Sequence, residues 1–244
     1  MNILLLDTSG PVCGVGVTAD GTPVYENWVI NKKTHSQKIM PMVDTALNML
    51  DMNVDDIDVF AAVVGPGSFT GVRIGVATAK GLAHATGKKC VAVHALEALA
   101  AGISEHGRLV CPILDARAKQ VYGAIFRSAV IPERLSEDMA IGIDGYIERI
   151  REYHEPALFL GDGIGPLEEE IRSRLKTDCE FASLEHAVLR PAVASMLAVR
   201  KIEAGEPLCD PETLLPLYLR APQAERERKR KEAERAESAG GCDS

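Results

Sequence analysis

The chain opens on an apolar run, Ile3-Leu4-Leu5-Leu6, closed by Asp7. Thr8-Ser9-Gly10-Pro11 follows as a turn, and Val12 to Thr18 alternates apolar residues with glycine. Gly21 marks a second turn before Val24 to Ile30. Short apolar runs punctuated by Gly, Pro and Ser predict three strands joined by turns. From Ser36 to Asp51 the period lengthens: Ile39, Met40, Val43, Ala46, Leu47 and Leu50 share a stripe, which predicts a helix. Asp58 to Val64 reads as a strand, Ser68 to Thr86 as a helix, Cys90 to Val93 as a strand and Leu96 to Glu105 as a helix. A similar opening then recurs. Leu109 to Leu114 ends in Asp115, Ala116-Arg117-Ala118 turns, and Lys119 to Arg127 alternates as a returning strand. Asp7 and Asp115 therefore hold equivalent places. Helices follow at Gly145 to Tyr153, Pro166 to Lys176 and Pro191 to Ala204, with a short strand from Ala157 to Leu160. This alternation predicts a mixed sheet flanked by helices, built twice.

The densest local pattern lies where Val59 to Val64 runs into Gly65-Pro66-Gly67-Ser68-Phe69-Thr70-Gly71-Val72-Arg73-Ile74-Gly75. Ser68 stands where an N-cap would stand, and Gly87 where a C-cap would. Between them small residues recur every fourth position: Gly71, Gly75, Ala79, Ala83. A helix side without bulk admits a close backbone, and glycine there costs about 1 kcal/mol relative to alanine. The preceding helix carries a second apolar stripe, Met42, Met49 and Met52, beside its first. Two readings stand. Both helices are enclosed within their own domain, or part of each meets another polypeptide, for which flexible methionine is well suited. The second is the expectation carried forward, with Met42, Met49, Met52, Gly71, Gly75, Ala79 and Ala83 as its partner-binding residues.

Composition narrows the class. Of 244 residues, 46% are hydrophobic and 25% charged, a globular mix. No apolar run reaches the roughly 18–20 residues that span a bilayer. The first run lacks a basic flank, so it reads as a buried strand and not as a secretory leader. The six cysteines are scattered without a Cys-x-x-Cys pair, which fits a reduced cytoplasmic protein with no cysteine metal site. A formal net charge of -8 opposes tight binding of nucleic acid by this chain alone, so any RNA would need a partner to supply the basic surface. Residues 223–244 form a charged tail, read as a solvated helix or a flexible end.

Catalytic and metal motifs are not found. The histidines lack metal spacing, and no nucleophile elbow is present. Gly81 to Lys89 resembles a phosphate loop only superficially, because it lies at a helix C-terminus. Gly65-Pro66-Gly67-Ser68 does precede a helix, but no lysine stands beside it, which favours a turn and cap over an anion site. Asp7, with Thr8 and Ser9, could orient a metal-bound phosphate or simply close a turn.

Several blocks together resemble the TsaB (YeaZ) family of tRNA threonylcarbamoyladenosine biosynthesis proteins. They are Leu5-Leu6-Asp7-Thr8-Ser9, Thr34-His35-Ser36-Gln37, Gly65 to Gly75 (with Gly65, Pro66, Gly67, Ser68, Phe69, Thr70 and Arg73 as the motif turn), Leu114-Asp115-Ala116-Arg117 and Leu217-Tyr218-Leu219-Arg220. The likeness covers about residues 1–222. It implies two ribonuclease-H-like subdomains of the acetate and sugar kinase/Hsp70/actin group, divided as 1–106 and 107–222, with helix 191–204 free to pack back on the first. It also implies a non-catalytic companion of TsaD, the enzyme that transfers threonylcarbamoyl to the adenosine 3′ of the anticodon. The ATPase TsaE joins that assembly. TsaD, or a second copy of the chain, would dock through a helical bundle of the first subdomain. ATP or ADP would lodge at the joint between partners, near Asp7, Thr8 and Ser9, with no cofactor or metal of the chain's own. Where TsaD has a His-x-x-x-His metal pair, this chain places Ala95 and Leu99 beside His94. The alternative is an independent nucleotide-using enzyme or peptidase of the same fold.

Overall fold

The computed structural model describes residues 1–30, 34–103, 107–117, 119–183 and 186–220. The tail at 223–244 lies outside the described residues. The first sheet contains β1 (Asn2–Asp7), β2 (Val12–Ala19), β3 (Thr22–Ile30), β4 (Val59–Gly65) and β5 (Lys89–His94), in the order β3-β2-β1-β4-β5. β1, β2 and β3 are antiparallel, whereas β4 and β5 run parallel to β1. Both faces of β1 are buried, and its side chains alternate between two cores. Leu4 and Leu6 face α1 (Ile39–Met49) and α2 (Phe69–Thr86), while Ile3 and Leu5 face α3 (Ala95–Ala101) and α6 (Pro191–Glu203).

The second sheet repeats the plan, with order β10-β7-β6-β11-β12. Its strands are β6 (Leu109–Asp115), β7 (Gln120–Gly123), β10 (Met139–Gly142), β11 (Ala157–Leu160) and β12 (Cys179–Phe181), while β8 (Phe126–Arg127) and β9 (Glu133–Arg134) continue one edge. Leu109, Cys111 and Ile113 face α4 (Ile143–Arg151) and α5 (Glu168–Leu175). Val110, Leu158 and Leu160 face the core built around α3 and α6. The layers therefore run helices, sheet, helices, sheet, helices. This is the duplicated ribonuclease-H-like plan that the family resemblance implies.

Several boundaries differ from the sequence reading. The helix expected from Ser36 begins at Ile39, after a 3₁₀ turn at His35–Gln37. The returning strand expected from Lys119 to Arg127 is broken at Ala124-Ile125. The break falls opposite Pro112, which has no N–H to give the ladder. The buried Tyr146 hydroxyl donates instead to the Ala124 carbonyl, at 2.7 Å. β9, β10 and β12 were not expected at all.

The second half of the chain does not stay with the second sheet to its end. From Pro191 onward the chain returns to the first sheet. α6 packs across β1, β2, β3 and β5. Gly16 admits it closely, since a Cβ there would stand 2.5 Å from the Pro191 carbonyl oxygen. Residues 205–220 then form a strap along the first subdomain. Cys209 pairs with Cys90, Lys89 binds Asp210 at 2.6 Å, and the Leu217 N–H donates to the Val64 carbonyl at 2.7 Å.

Candidate docking surface and the turn beneath it

The end of β1, the turn after β4 and the first turns of α2 meet at one corner of the first sheet. The Gly65–Pro66 peptide is cis, and Gly65 has φ +112°. Ser68 caps α2, its hydroxyl oxygen accepting from the Gly71 N–H at 3.2 Å. The Ser68 N–H donates to the Ser9 carbonyl at 2.7 Å, and the Thr8 hydroxyl donates to the Gly71 carbonyl at 2.6 Å. A Cβ on Gly67 would overlap the Ser9 carbonyl oxygen, and one on Gly71 the Thr8 carbonyl oxygen. A Cβ on Gly75 would stand 2.6 Å from the Thr8 hydroxyl. The motif is therefore the steric imprint on α2 of the turn that follows β1.

This geometry corrects part of the expected partner surface. Gly71, Gly75, Ala79 and Ala83 are all buried within the chain, against its own first strand and core. Gly71 and Gly75 admit Thr8, not a second polypeptide. Met42 is corrected as well. It is buried, its sulfur 3.9 Å from the Cys13 thiol. The buried stripe of α1 is Ile39, Met42, Val43 and Ala46, and Met40 turns outward. Met52 is half-buried against the same core. Met49 is 71% exposed.

The outer side of α2 carries a feature that the sequence reading missed. Ala77, Gly81 and Ala85 follow the same four-residue spacing about 180° around the helix from the buried stripe, and all three are exposed. Apart from its own helix backbone and its two neighbours, no atom lies within 4 Å of where a Gly81 Cβ would be. Ile74 and Leu82 border this stripe, half-buried. At its N-terminal end, Arg73 lies over the Phe69 ring, 4.0 Å from the centroid, and its Nε donates to the Tyr218 hydroxyl at 2.7 Å. Phe69 and Tyr218 are themselves 4.7 Å apart by ring centroid. Phe69, Arg73 and the Leu217-to-Arg220 block thus form one structure, which ties the strap to the head of α2. Thr70 is exposed beside it.

Beneath the corner, Asp7 is buried and accepts from the Ser9 N–H at 2.8 Å and from the Ser9 hydroxyl at 2.7 Å. Burial pushes its carboxyl from 3.8 up to about 6, against the opposing pull of the Ser9 bonds and His35. His35 is placed by its own ring, with Nε2 2.9 Å from the Gly10 carbonyl oxygen. The second hairpin repeats the device in solvent: the Arg117 N–H donates to the Asp115 carboxylate at 2.7 Å. Asp7, Thr8 and Ser9 are thus all engaged in closing the turn.

A raised carboxyl has a definite thermodynamic sign. Between pH 4 and 6 the folded state holds more protons than the unfolded state, so unfolding free energy falls as pH rises through that window. Above it, ionised Asp7 costs up to about 3 kcal/mol. Asp7→Asn keeps an acceptor for both Ser9 donors. It is expected to raise stability at pH 7 and to flatten the pH dependence from 4 to 6. Urea unfolding of both proteins at pH 4.5 and 7 checks this. An unchanged pH slope in the variant would remove Asp7 as its source.

Among the described residues no group of three His, Cys, Asp or Glu side chains is arranged to hold a metal ion. His94 Nδ1 lies 3.4 Å from the Asp138 carboxylate, with Ala95 and Leu99 buried beside it. Nor is any helix among them long and apolar enough to cross a membrane.

The architecture and this corner place the chain in the acetate and sugar kinase/Hsp70/actin group, and comparison with known proteins agrees. Component A of (R)-2-hydroxyglutaryl-CoA dehydratase from Acidaminococcus fermentans shares the fold alone, with TM-score 0.51 and 10% identity over 84% of this chain and 99% of that one. Residues 29–227 match the family described as TsaD: tRNA N6-adenosine threonylcarbamoyltransferase. The tRNA threonylcarbamoyladenosine biosynthesis protein TsaB of Bacillus subtilis (strain 168) is 34% identical over 226 residues, covering 92% of this chain and 96% of that protein. A solved Pseudomonas aeruginosa protein, described as uncharacterized with similarity to peptidase YeaZ, superposes with TM-score 0.76 at 26% identity over 90% of this chain and 99% of that one. The chain belongs to the TsaB (YeaZ) family.

Proposed function

We propose that this chain is a non-catalytic subunit that binds and activates TsaD for threonylcarbamoylation of the adenosine 3′ of the anticodon. Family membership supplies the pathway. The observation that carries the binding role is Gly81. Glycine in the middle of an exposed helix costs about 1 kcal/mol relative to alanine and gains nothing from the chain's own packing here. Its use makes sense if another helix crosses α2 along Ala77, Gly81 and Ala85. Met49, on the same side of the sheet, adds apolar area that water does not favour. In the absence of TsaD the same face serves a second copy of the chain.

The acidic balance agrees with a subunit that leaves tRNA to its partner. Ala95 and Leu99, at positions where the resemblance places metal ligands in TsaD, agree with a chain that does no transfer itself. TsaE and ATP or ADP enter this reading only at the joint between partners. The test is to mix the purified chain with TsaD. A stable complex in gel filtration, with threonylcarbamoyl-adenosine formed only by the mixture and the remaining pathway components, is the expected result. Peptide hydrolysis or ATP turnover by the chain alone would overturn it in favour of an independent enzyme.

A further inference from the structure

Two cysteines face each other where the strap meets β5. Cys90 and Cys209 form an isolated antiparallel bridge. The Cys90 N–H donates to the Cys209 carbonyl at 2.8 Å, and the Cys209 N–H donates to the Cys90 carbonyl at 2.9 Å. A pair that exchanges both bonds has Cα atoms about 5.5 Å apart and side chains on one face of the ladder. That separation is inside the roughly 4.4–6.8 Å that a disulfide spans. Both side chains join the same apolar cluster, Cys90 fully buried and Cys209 partly so. Both are free thiols.

We propose that Cys90 and Cys209 are a thiol modification site, oxidised by a low-molecular-weight disulfide of the glutathione class to a reversible bond that fastens the strap to the first sheet. The Cys209 thiol is the partly exposed one and reacts first. Its thiolate attacks one sulfur of glutathione disulfide, the S–S bond breaks, and one glutathione thiolate leaves with the proton that Cys209 lost. Cys90 then attacks the Cys209 sulfur. The Cys90–Cys209 bond forms, the mixed disulfide breaks, and the second glutathione leaves with the Cys90 proton. The protein loses two electrons and two protons, and one glutathione disulfide becomes two thiols.

Burial, reinforced by Cys209, pushes the Cys90 thiol up to about 12, which fits its part as the second, slower partner. Cβ atoms of a hydrogen-bonded pair lie about 5.5 Å apart, whereas a disulfide draws them to about 3.5–4.5 Å. Closure therefore pulls the strap inward under strain, and a strained bond is readily reduced again. The strap carries Leu214 in the core, the Leu217 bond to Val64 and the Tyr218 contact to Arg73, so the bond would hold all three.

The test uses the full chain incubated with glutathione disulfide, quenched in acid and digested for mass spectrometry. The expected product is a linked pair of peptides containing Cys90 and Cys209, lighter by two hydrogens and separated by dithiothreitol. Amide exchange at Leu217 should slow about tenfold in the oxidised chain, as local opening is suppressed. Cys209→Ser should show neither the link nor the slowing. A stable glutathione adduct on Cys209 with Cys90 still free would overturn the proposal, as would slowing that persists in Cys209→Ser.

Discussion

Gly71→Ala is expected to destabilise the fold by about 2–4 kcal/mol, while the same substitution at Gly81 stabilises it by about 1 kcal/mol. The added methyl is identical, and only its surroundings differ. At Gly71 it would overlap the Thr8 carbonyl oxygen, a backbone atom of the buried turn that follows β1. Relief requires α2 to lift from β1, which also breaks the 2.6 Å bond from the Thr8 hydroxyl to the Gly71 carbonyl. Such a loss is a large share of the roughly 5–15 kcal/mol that stabilises an ordinary domain. At Gly81 the methyl points into open space, and only the helix propensity changes. Urea midpoints of the two variants should move in opposite directions from the parent. Midpoints that move together would mean that the β1–α2 contact is looser than described.

Gly81→Arg should weaken TsaD binding at least about a hundredfold, or about 2.7 kcal/mol, without loss of fold. Arginine is a good helix former, and its Cβ would meet nothing beyond the helix itself at this exposed position. If a second helix lies across Ala77, Gly81 and Ala85, the long charged side chain separates the two axes and buries a charge without a partner. Titration calorimetry of the variant against TsaD, with urea unfolding as the control, gives the answer. A folded variant that binds within threefold of the parent would place the docking face elsewhere.

These two glycines also mark what was legible in the sequence. The strand ahead of Gly65, the cap at Ser68 and the stop at Gly87 each leave a local chemical signature, and the structure has all three. Periodicity showed that Gly71, Gly75, Ala79 and Ala83 share a side. It could not show which way that side faces, because inward and outward small residues have the same spacing. Ala77, Gly81 and Ala85 were overlooked for that reason. Met40 and Met42 lie on opposite sides of the line through Ile39, Val43 and Ala46, and spacing alone did not show toward which of them the core extends. β9 and β12 are two and three residues long, too short for any alternation to register. The pairing of Cys90 with Cys209 joins residues far apart in the chain and has no local signature.

The return of residues 191–220 to the first sheet has a consequence for biosynthesis. The part of one face formed by β1, β2 and β3 stays uncovered while the second subdomain is being made, because α6, which packs on it, is synthesised roughly a hundred residues after β5. At the usual pace of translation that interval lasts about 5–20 seconds. During it the nascent chain presents Ile3 and Leu5 of β1 to water, and a ribosome-associated chaperone would find its natural client there.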